Sequence, residues 1–183
     1  MAASADQCGG QIALARATGD AAPAFEVRPA LAEKRGELAY ILLEGENTYM
    51  QCLVVGGTDT EDWDAMVSVV HGNVGDGHPV DIPEPPKRPE DITVLSTGSS
   101  PWGERPDEAS GGGITSAYGL AGPEVEAIEV TTSDGTRAQA TVDNGWWAVW
   151  FPNASPIDKH VTVTTTGGRA YTTNLWALFD FTQ

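Results

Sequence analysis

Two similar segments, 33 positions apart, constrain the fold more than any other feature of this sequence. Ile128–Gly135 reads IEVTTSDG, and Val161–Gly168 reads VTVTTTGG. In each segment apolar and polar residues alternate until a turn that contains glycine, which is typical of a half-buried strand that leads into a β-hairpin. Duplication of one hairpin and chance recurrence of a Thr- and Val-rich pattern both remain open as explanations of the similarity.

The turn of the first hairpin can be predicted from which residues must share a face. Residues that lie opposite each other in a hairpin are on the same face and therefore share burial. A two-residue loop at Asp134-Gly135 would place Val130 opposite Gln139, which mixes an apolar and a polar residue. A three-residue loop at 133–135 places Val130 opposite Ala138 instead, and Ile128 opposite Ala140, so we predict this register.

Such a three-residue loop is a type I turn followed by a residue with positive φ. Gly135 holds that position in the first copy and Gly168 holds it in the second. Glycine adopts positive φ without a steric penalty, so both positions fit the predicted turn. In the second copy the same register predicts that Val163 faces Tyr171.

An apolar run lies between the two hairpins. Asn144-Gly145 predicts a tight turn that begins Trp146–Phe151, and Pro152 ends the run. Neither alternating face of this run is polar, so we predict a central strand that is covered on both sides. Trp146 and Trp150 would lie on one face, and the other face would hold Trp147, Val149 and Phe151.

The N-terminal half predicts a further hairpin, with strands at Leu38–Leu43 and Tyr49–Val55 around a loop at Glu44–Thr48. Thr60–Val70 fits a helix by its apolar spacing and a strand by its valines, and we adopt the strand. Residues 79–113 are rich in Pro, Gly and Ser and predict a flexible connection between two halves. The prolines there could also form a polyproline ligand for another domain, although a stiff connection is the simpler interpretation.

These patterns predict a mainly β fold, an antiparallel sandwich or barrel with several hairpins. At 183 residues the chain is long enough for one well-packed core. We therefore expect a single β-rich domain over 1–183, with the connection at about 79–113 separating its halves.

The formal charge of −16 bears on the partners of the chain. Its ten Lys and Arg residues are scattered, without a stripe that could neutralise phosphates, so we predict that it does not bind nucleic acid. The same negative field repels an anionic membrane and attracts a cationic ligand, a basic protein surface or a divalent ion. Solubility alone also explains an acidic surface.

No stretch approaches the roughly 20 apolar residues that span a bilayer, so no membrane insertion of this sequence is predicted. Ala3-Ser4-Ala5 has the small-x-small pattern of a signal-peptidase site, but no apolar segment precedes it. We therefore expect that the natural gene product carries an N-terminal signal or anchor upstream of this sequence.

Cys8 and Cys52 are the only two cysteines, and no Cys-x-x-Cys spacing is present. The pair predicts a disulfide and hence an oxidising, extracytoplasmic location. Such a bridge contributes about 4 kcal/mol in the chain-entropy account of disulfides. Two buried free thiols in a cytosolic protein are the alternative, because cysteine is also a small core residue.

An acidic cluster is a weak candidate for a metal site. Asp59, Glu61, Asp62 and Asp64 offer the carboxylate oxygens that hard cations prefer. The pattern departs from a calcium loop, which needs glycine where Asp64 stands and a bidentate glutamate where Val70 stands. A solvated acidic turn or helix start is the alternative. His71, Asp76 and His78 could also approach a transition metal, but a histidine pair across a glycine-rich loop arises readily by chance.

No catalytic residue and no cofactor is predicted. Gly98–Trp102 lacks the Gly-x-Ser-x-Gly of a nucleophile elbow, and three histidines, with His160 as the third, do not single out a triad. Aromatic residues are the better binding candidates, because tryptophans can stack on sugar rings or on an apolar patch of a partner. The candidates are Trp102, Trp146 and Trp150, with core packing as the alternative and Trp102 the best placed for exposure.

Several motifs together carry a family resemblance. The first is Arg35-Gly36-Glu37, which leads into a strand that ends at Cys52-Leu53. The second is Gly122–Val125, which leads into a hairpin, and the third is the stretch from Asn144–Trp147 to Phe151-Pro152. With them the chain resembles uncharacterised extracytoplasmic domains that follow a signal or anchor in Gram-positive bacteria. The resemblance covers most of the chain and implies a secreted or surface-anchored location, without an activity.

The functional hypothesis is therefore a non-enzymatic extracytoplasmic binding or sensing module. Its expected ligand is an unknown protein or carbohydrate at the cell surface. A small hydrolase or divalent-metal enzyme, with a site assembled only in three dimensions, and a structural spacer are the alternatives.

Overall fold

The computed structural model describes residues 28–35, 38–45, 48–55, 64–72, 84–102, 112–152 and 155–178. These residues form antiparallel strands and one short 3-10 helix, so the predicted mainly β class is confirmed. The chain divides into two compact units, Met1–Ile82 and Pro83–Gln183. That the whole chain acts as a single domain remains a prediction.

The described part of the first unit is one four-stranded sheet in the order β1-β2-β3-β4. Its strands are β1 (Arg28–Arg35), β2 (Leu38–Gly45), β3 (Thr48–Val55) and β4 (Asp64–Gly72). The predicted hairpin is confirmed as β2 and β3, although pairing continues to Gly45 opposite Thr48, further into the predicted loop. The strand interpretation of Thr60–Val70 is confirmed by β4 for residues 64–70, and residues 60–63 lie outside the described part of the chain.

Strand β2 is an inner strand of that sheet. Its residues Ala39 to Leu43 are all buried, so neither of its faces is open to solvent. The buried Tyr40 hydroxyl donates a hydrogen bond of 2.8 Å to Oε1 of Gln51 on β3. This hydrogen bond satisfies both polar groups, which would otherwise destabilise the interior.

The described residues of the second unit form two four-stranded antiparallel sheets, in the orders β5-β6-β10-β9 and β12-β11-β7-β8. Its strands are β5 (Ser96–Trp102), β6 (Gly112–Leu120), β7 (Val125–Thr132), β8 (Arg137–Gln139), β9 (Thr141–Asp143), β10 (Trp146–Phe151), β11 (Ile157–Thr165) and β12 (Ala170–Asn174), followed by a 3-10 helix at Leu175–Leu178.

A single apolar core joins these two sheets, as expected for a β-sandwich. Trp147, Val149 and Phe151 contribute to it from β10, and Val161 and Val163 contribute from β11. Of the two predicted architectures, the described sheets therefore fit a sandwich, and none of them closes into a barrel. Counted from β5, the strand orders correspond to the ABED and GFCC′ sheets of immunoglobulin-like sandwiches.

Both predicted hairpin registers of the second unit are confirmed. Val130 lies opposite Ala138 in the first hairpin, and Val163 lies opposite Tyr171 in the second. Gly135 has φ of 86° and Gly168 has φ of 76°, as the three-residue loops require. The alternation of apolar and polar residues was therefore sufficient to identify the turn.

The predicted central strand is also confirmed. Asn144 and Gly145 both have positive φ and connect Asp143 to Trp146 as a two-residue type I′ turn. The strand that follows, β10, lies between β6 and β9, and all six of its residues are buried. Trp147 faces the core between the sheets, whereas Trp146 and Trp150 are buried on the opposite face of their sheet.

Part of the predicted connection at 79–113 is folded. Ser96–Trp102 is strand β5, and it pairs with β6 from Ser96 opposite Tyr118 to Trp102 opposite Gly112. Its Gly, Ser and Pro content favours a loop by composition alone, but the pairing with β6 overrides this weak local preference. β5 is an edge strand, where proline is tolerated because it does not have to donate to a second neighbour.

Candidate functional site

The turns 121–124, 144–145 and 166–168 meet at one end of the sandwich. The amide of Thr166 donates to the carbonyl of Glu124 at 2.9 Å, and the amide of Ala121 donates to the carbonyl of Gly145 at 2.8 Å. The amide of Glu124 also donates to the carbonyl of Pro89 at 2.9 Å. The segment 84–95, which precedes β5, is thereby attached to this end.

The segment 84–95 continues along β6. The amide of Thr93 donates to the carbonyl of Leu120 at 2.9 Å, and Ile92 and Val94 are buried in the core. The indole Nε1 of Trp147 donates to the carbonyl of Thr93 at 2.8 Å. These contacts position the end of the segment against the sandwich.

Strand β12 is joined to the same segment by one side chain. The Tyr171 hydroxyl donates a hydrogen bond of 2.7 Å to the carbonyl of Glu90. Burial raises the pKa of this hydroxyl, and the charge of Asp91 raises it further. The hydroxyl therefore keeps its proton at physiological pH and remains a donor.

A bidentate ion pair lies on the segment beside Tyr171. Nε of Arg88 donates to Oδ2 of Asp91 at 2.7 Å, and a second guanidinium nitrogen donates to Oδ1 at 2.9 Å. The Asp91 carboxylate raises the pKa of the Arg88 guanidinium. Arg88 is largely exposed, so the pair orders the segment more than it stabilises the fold.

Between β12 and the segment lies a cavity of about 220 Å³, hereafter the β12 cavity. Its lining includes the apolar residues Ile92 and Leu178 and three consecutive residues of β12, Tyr171, Thr172 and Thr173. Arg88 and Asp91 complete the lining. The volume is below the roughly 300–1,000 Å³ of typical small-molecule pockets, so the cavity suits a single inserted side chain better than a whole ligand.

Trp176 is the exposed aromatic residue that sequence reasoning missed. It is 52% exposed, the one large hydrophobic residue so exposed in the described part of the chain. It belongs to the 3-10 helix, in which Leu175 is buried in the core and Leu178 lines the β12 cavity. Residues three apart lie on one side of a 3-10 helix, so Trp176 points in a different direction from these two.

No sequence signal separated Trp176 from its apolar neighbours. The helix reads Leu-Trp-Ala-Leu and has no polar residue to mark an outer face. The amide of Trp176 donates to Oδ1 of Asn174 at 3.0 Å, which caps the first turn. This hydrogen bond fixes the backbone of Trp176 at the start of the helix.

The predicted tryptophan candidates lie elsewhere. Trp146 is 4% exposed and Trp150 is 0% exposed, which favours the core-packing alternative for both. Trp102 ends strand β5, and its side chain lies outside the described part of the structure. The exposure of Trp102 therefore stays a prediction.

The predicted metal ligands fall mainly outside the described residues. Asp59, Glu61 and Asp62 lie outside them, and Asp64 is described only as the first backbone position of β4. His71 is likewise a backbone position of β4, while Asp76 and His78 are not described. Among the residues that the structure describes, no group of three or more His, Cys, Asp or Glu could hold a metal ion.

Cys52 lies on β3 and is 0% exposed. Its predicted partner Cys8 lies outside the described residues, so the bridge remains a prediction. His160 is an exposed residue of β11, with Nδ1 4.0 Å from Oδ1 of Asp158. At that distance and exposure the two form only a weak surface contact.

A hydrogen-bonded carboxylate lies at the opposite end of the sandwich. Oδ1 of Asp134 accepts from the Thr132 hydroxyl at 2.5 Å and from the amide of Thr136 at 3.0 Å. Oδ2 of Asp134 accepts from the Ser155 hydroxyl at 2.8 Å. These donors, the Thr132 hydroxyl foremost, hold the pKa of Asp134 well below its usual range. The carboxylate joins the turn after β7 to the chain before β11.

Comparisons with protein families, with curated proteins and with solved structures found no match. The resemblance to extracytoplasmic domains of Gram-positive bacteria therefore stays a prediction. The helical content of the described residues includes no segment with the length and hydrophobicity to cross a membrane.

Proposed function

We propose that this chain is a non-enzymatic binding or sensing module that acts outside the cytoplasm. Its ligand would be a protein or carbohydrate of the cell surface. The observation that carries the proposal is Trp176, an aromatic side chain 52% exposed on the short helix whose Leu178 lines the β12 cavity. Aromatic side chains are enriched in binding surfaces because they offer a large contact area at a small loss of conformational freedom.

The scaffold under Trp176 supports the same proposal. Leu175 is buried in the core and fixes the short helix, so Trp176 would not have to be ordered when a ligand binds. Binding surfaces held rigidly before contact lose less entropy on association. The immunoglobulin-like strand order adds an analogy, since many cell-surface domains share this architecture, but a fold alone does not define a function.

The extracytoplasmic location is proposed from the predicted bridge between Cys8 and Cys52. Disulfides persist in oxidising compartments and are rare in the cytosol. Cell fractionation of the organism that encodes the chain tests this part. Recovery in the cytosolic fraction with both thiols reactive would contradict the location.

Site-specific photo-crosslinking tests the binding module. The photoreactive residue benzoylphenylalanine replaces Trp176 in one variant and Asp143 in another, and Asp143 is an exposed residue of β9. We expect an adduct of one defined mass from position 176 that position 143 does not give. Identical adducts from both positions, or none from either, would contradict the proposal and favour a spacer.

A further inference from the structure

We propose that strand β12 is a docking edge, on which an extended cationic segment of a partner protein adds as a further strand. This inference rests on the proposed binding function and names the mode of binding.

Of the four edge strands that the structure describes in the second unit, three carry features that oppose pairing with another chain. β5 contains Pro101, β8 contains Arg137, and β9 ends in Asp143. Proline, charged side chains and very short length are the usual protection of sheet edges, and β8 and β9 have only three residues each. β12 reads Ala-Tyr-Thr-Thr-Asn, with neither proline nor charge.

The backbone groups of β12 alternate between β11 and the free edge. The amide of Thr165 donates to the carbonyl of Arg169 at 2.9 Å, which makes this a hydrogen-bonded pair. Hydrogen-bonded and non-hydrogen-bonded pairs alternate along an antiparallel ladder, so Tyr171 and Thr173 bond to β11. The N–H and C=O groups of Ala170 and Thr172 and the N–H of Asn174 therefore point away from β11, while the C=O of Asn174 is the first acceptor of the 3-10 helix. Among the described residues, β11 is the one strand that pairs with β12.

The β12 cavity lies where an added strand would need room for a side chain. Residues opposite Tyr171 and Thr173 in an added strand would share their inward face. That face borders the cavity, whose lining includes the apolar residues Ile92 and Leu178. The added segment would therefore insert one apolar side chain there, while its backbone pairs with Ala170 and Thr172 and accepts a hydrogen bond from the N–H of Asn174.

Charge decides between the possible occupants of this edge. The chain carries a formal charge of −16, so two copies repel each other overall. The same field attracts a cationic segment and accelerates its encounter with the edge. A partner with basic residues on both sides of an apolar strand fits both the cavity and the charge.

A synthetic peptide tests the docking edge. The probe is acetyl-Lys-Thr-Leu-Thr-Leu-Thr-Lys-amide, and its control is the same peptide N-methylated at alternate residues on the pairing side. Binding to the ¹⁵N-labelled chain is followed by nuclear magnetic resonance. We expect the probe to shift the amide signals of Ala170, Thr172 and Asn174, and the methylated peptide to bind at least about tenfold more weakly because it lacks the pairing N–H groups.

Two variants of one position supply the matched comparison. Thr172→Pro removes an N–H that points to the free edge, where proline is tolerated, and Thr172→Val keeps the backbone intact. We expect T172P to abolish binding of the peptide and T172V to preserve it. Thermal unfolding checks that both variants fold. If T172P does not fold, the comparison of the two peptides decides.

Three outcomes would overturn the docking edge: equal binding of both peptides, shifts mapped to another surface, or no binding at millimolar probe. Dimerisation in analytical ultracentrifugation that T172P abolishes would show a second copy on the edge and overturn the cationic partner. If the photo-crosslink from position 176 is observed but the peptide does not bind, the docking edge is rejected and the binding module is retained. If neither the crosslink nor peptide binding is observed, the binding module is rejected as well.

Discussion

The indole of Trp147 donates a hydrogen bond of 2.8 Å to the backbone carbonyl of Thr93, 54 residues earlier in the chain. The indole and the Thr93 carbonyl both lie next to Gly119 of β6, which pairs with Trp147 of β10. A Cβ at Gly119 would lie 2.0 Å from the Thr93 carbonyl oxygen and 2.9 Å from Nε1 of the indole. The absence of a side chain at Gly119 is therefore what allows the segment 84–95 to approach the sheet.

Gly119→Ala should destabilise the fold through this contact. The added Cβ would clash with the backbone of Thr93, whose N–H and C=O groups are both hydrogen-bonded. We therefore expect the free energy of unfolding to fall by about 1–3 kcal/mol or more. Gly98→Ala is the matched control, because a Cβ there meets no atom within 4 Å. Urea denaturation of both variants measures the difference, and equal stabilities would show that Thr93 can move aside.

Alanine substitutions should affect stability differently at the turn glycines with positive φ and at the neighbouring Gly167. Gly135 and Gly168 have positive φ, which any residue with a Cβ adopts at a cost of roughly 1–2 kcal/mol. Gly135→Ala and Gly168→Ala should each lower stability by about that amount. Gly167→Ala should be nearly neutral, because its added Cβ would make only an ordinary contact 3.8 Å from Oγ1 of Thr165. Thermal unfolding ranks the three variants, and a G167A as unstable as G168A would contradict this account.

Asp134 predicts a pH dependence of stability with a definite sign. Its hydrogen bonds depress the folded-state pKa, so the carboxylate stabilises the fold above the unfolded-state pKa of about 3.9. This contribution is lost as the pH falls below that value toward the folded pKa. Asp134→Asn should therefore be less stable than the wild type at pH 7, and the difference should shrink below about pH 4. Melting temperatures from pH 2 to 7 test this, and a difference that stays constant would exclude the carboxylate as its source.

The predicted disulfide gives a direct mass test. If Cys8 and Cys52 are bonded, reduction adds two hydrogens, or about 2 Da, to the intact chain. Reduction should also lower the free energy of unfolding by about 4 kcal/mol, which Cys8→Ser in the absence of reductant should reproduce. An unchanged mass after reduction would show two free thiols and remove the main support for an extracytoplasmic location.

The hairpins could be predicted from sequence because their determinants are local. The alternation around Val130 and Val163 identifies the faces, and Gly135 and Gly168 supply the turn. Strand β5 was missed because its sequence resembles a loop and only its pairing with β6 makes it a strand. Propensity carries no information about a partner strand that is distant in sequence.

The candidate site was missed for a related reason. The β12 cavity is lined from the segment at Arg88, from β12 and from Leu178, which come together only in the folded chain. Trp176 has apolar neighbours on both sides, so its exposure depends on how Leu175 packs. The tryptophans of β10 were the more visible aromatic candidates, yet they are buried.

The apolar strand Trp146–Phe151 has a further consequence, for how the chain is made. Six consecutive apolar residues without charge or proline are the kind of segment that aggregates when exposed. Both strands that flank it in the sheet, β6 and β9, precede it in the chain. When the ribosome makes this segment, the two strands that pair with it have therefore already been synthesised, which shortens the time that the segment spends exposed.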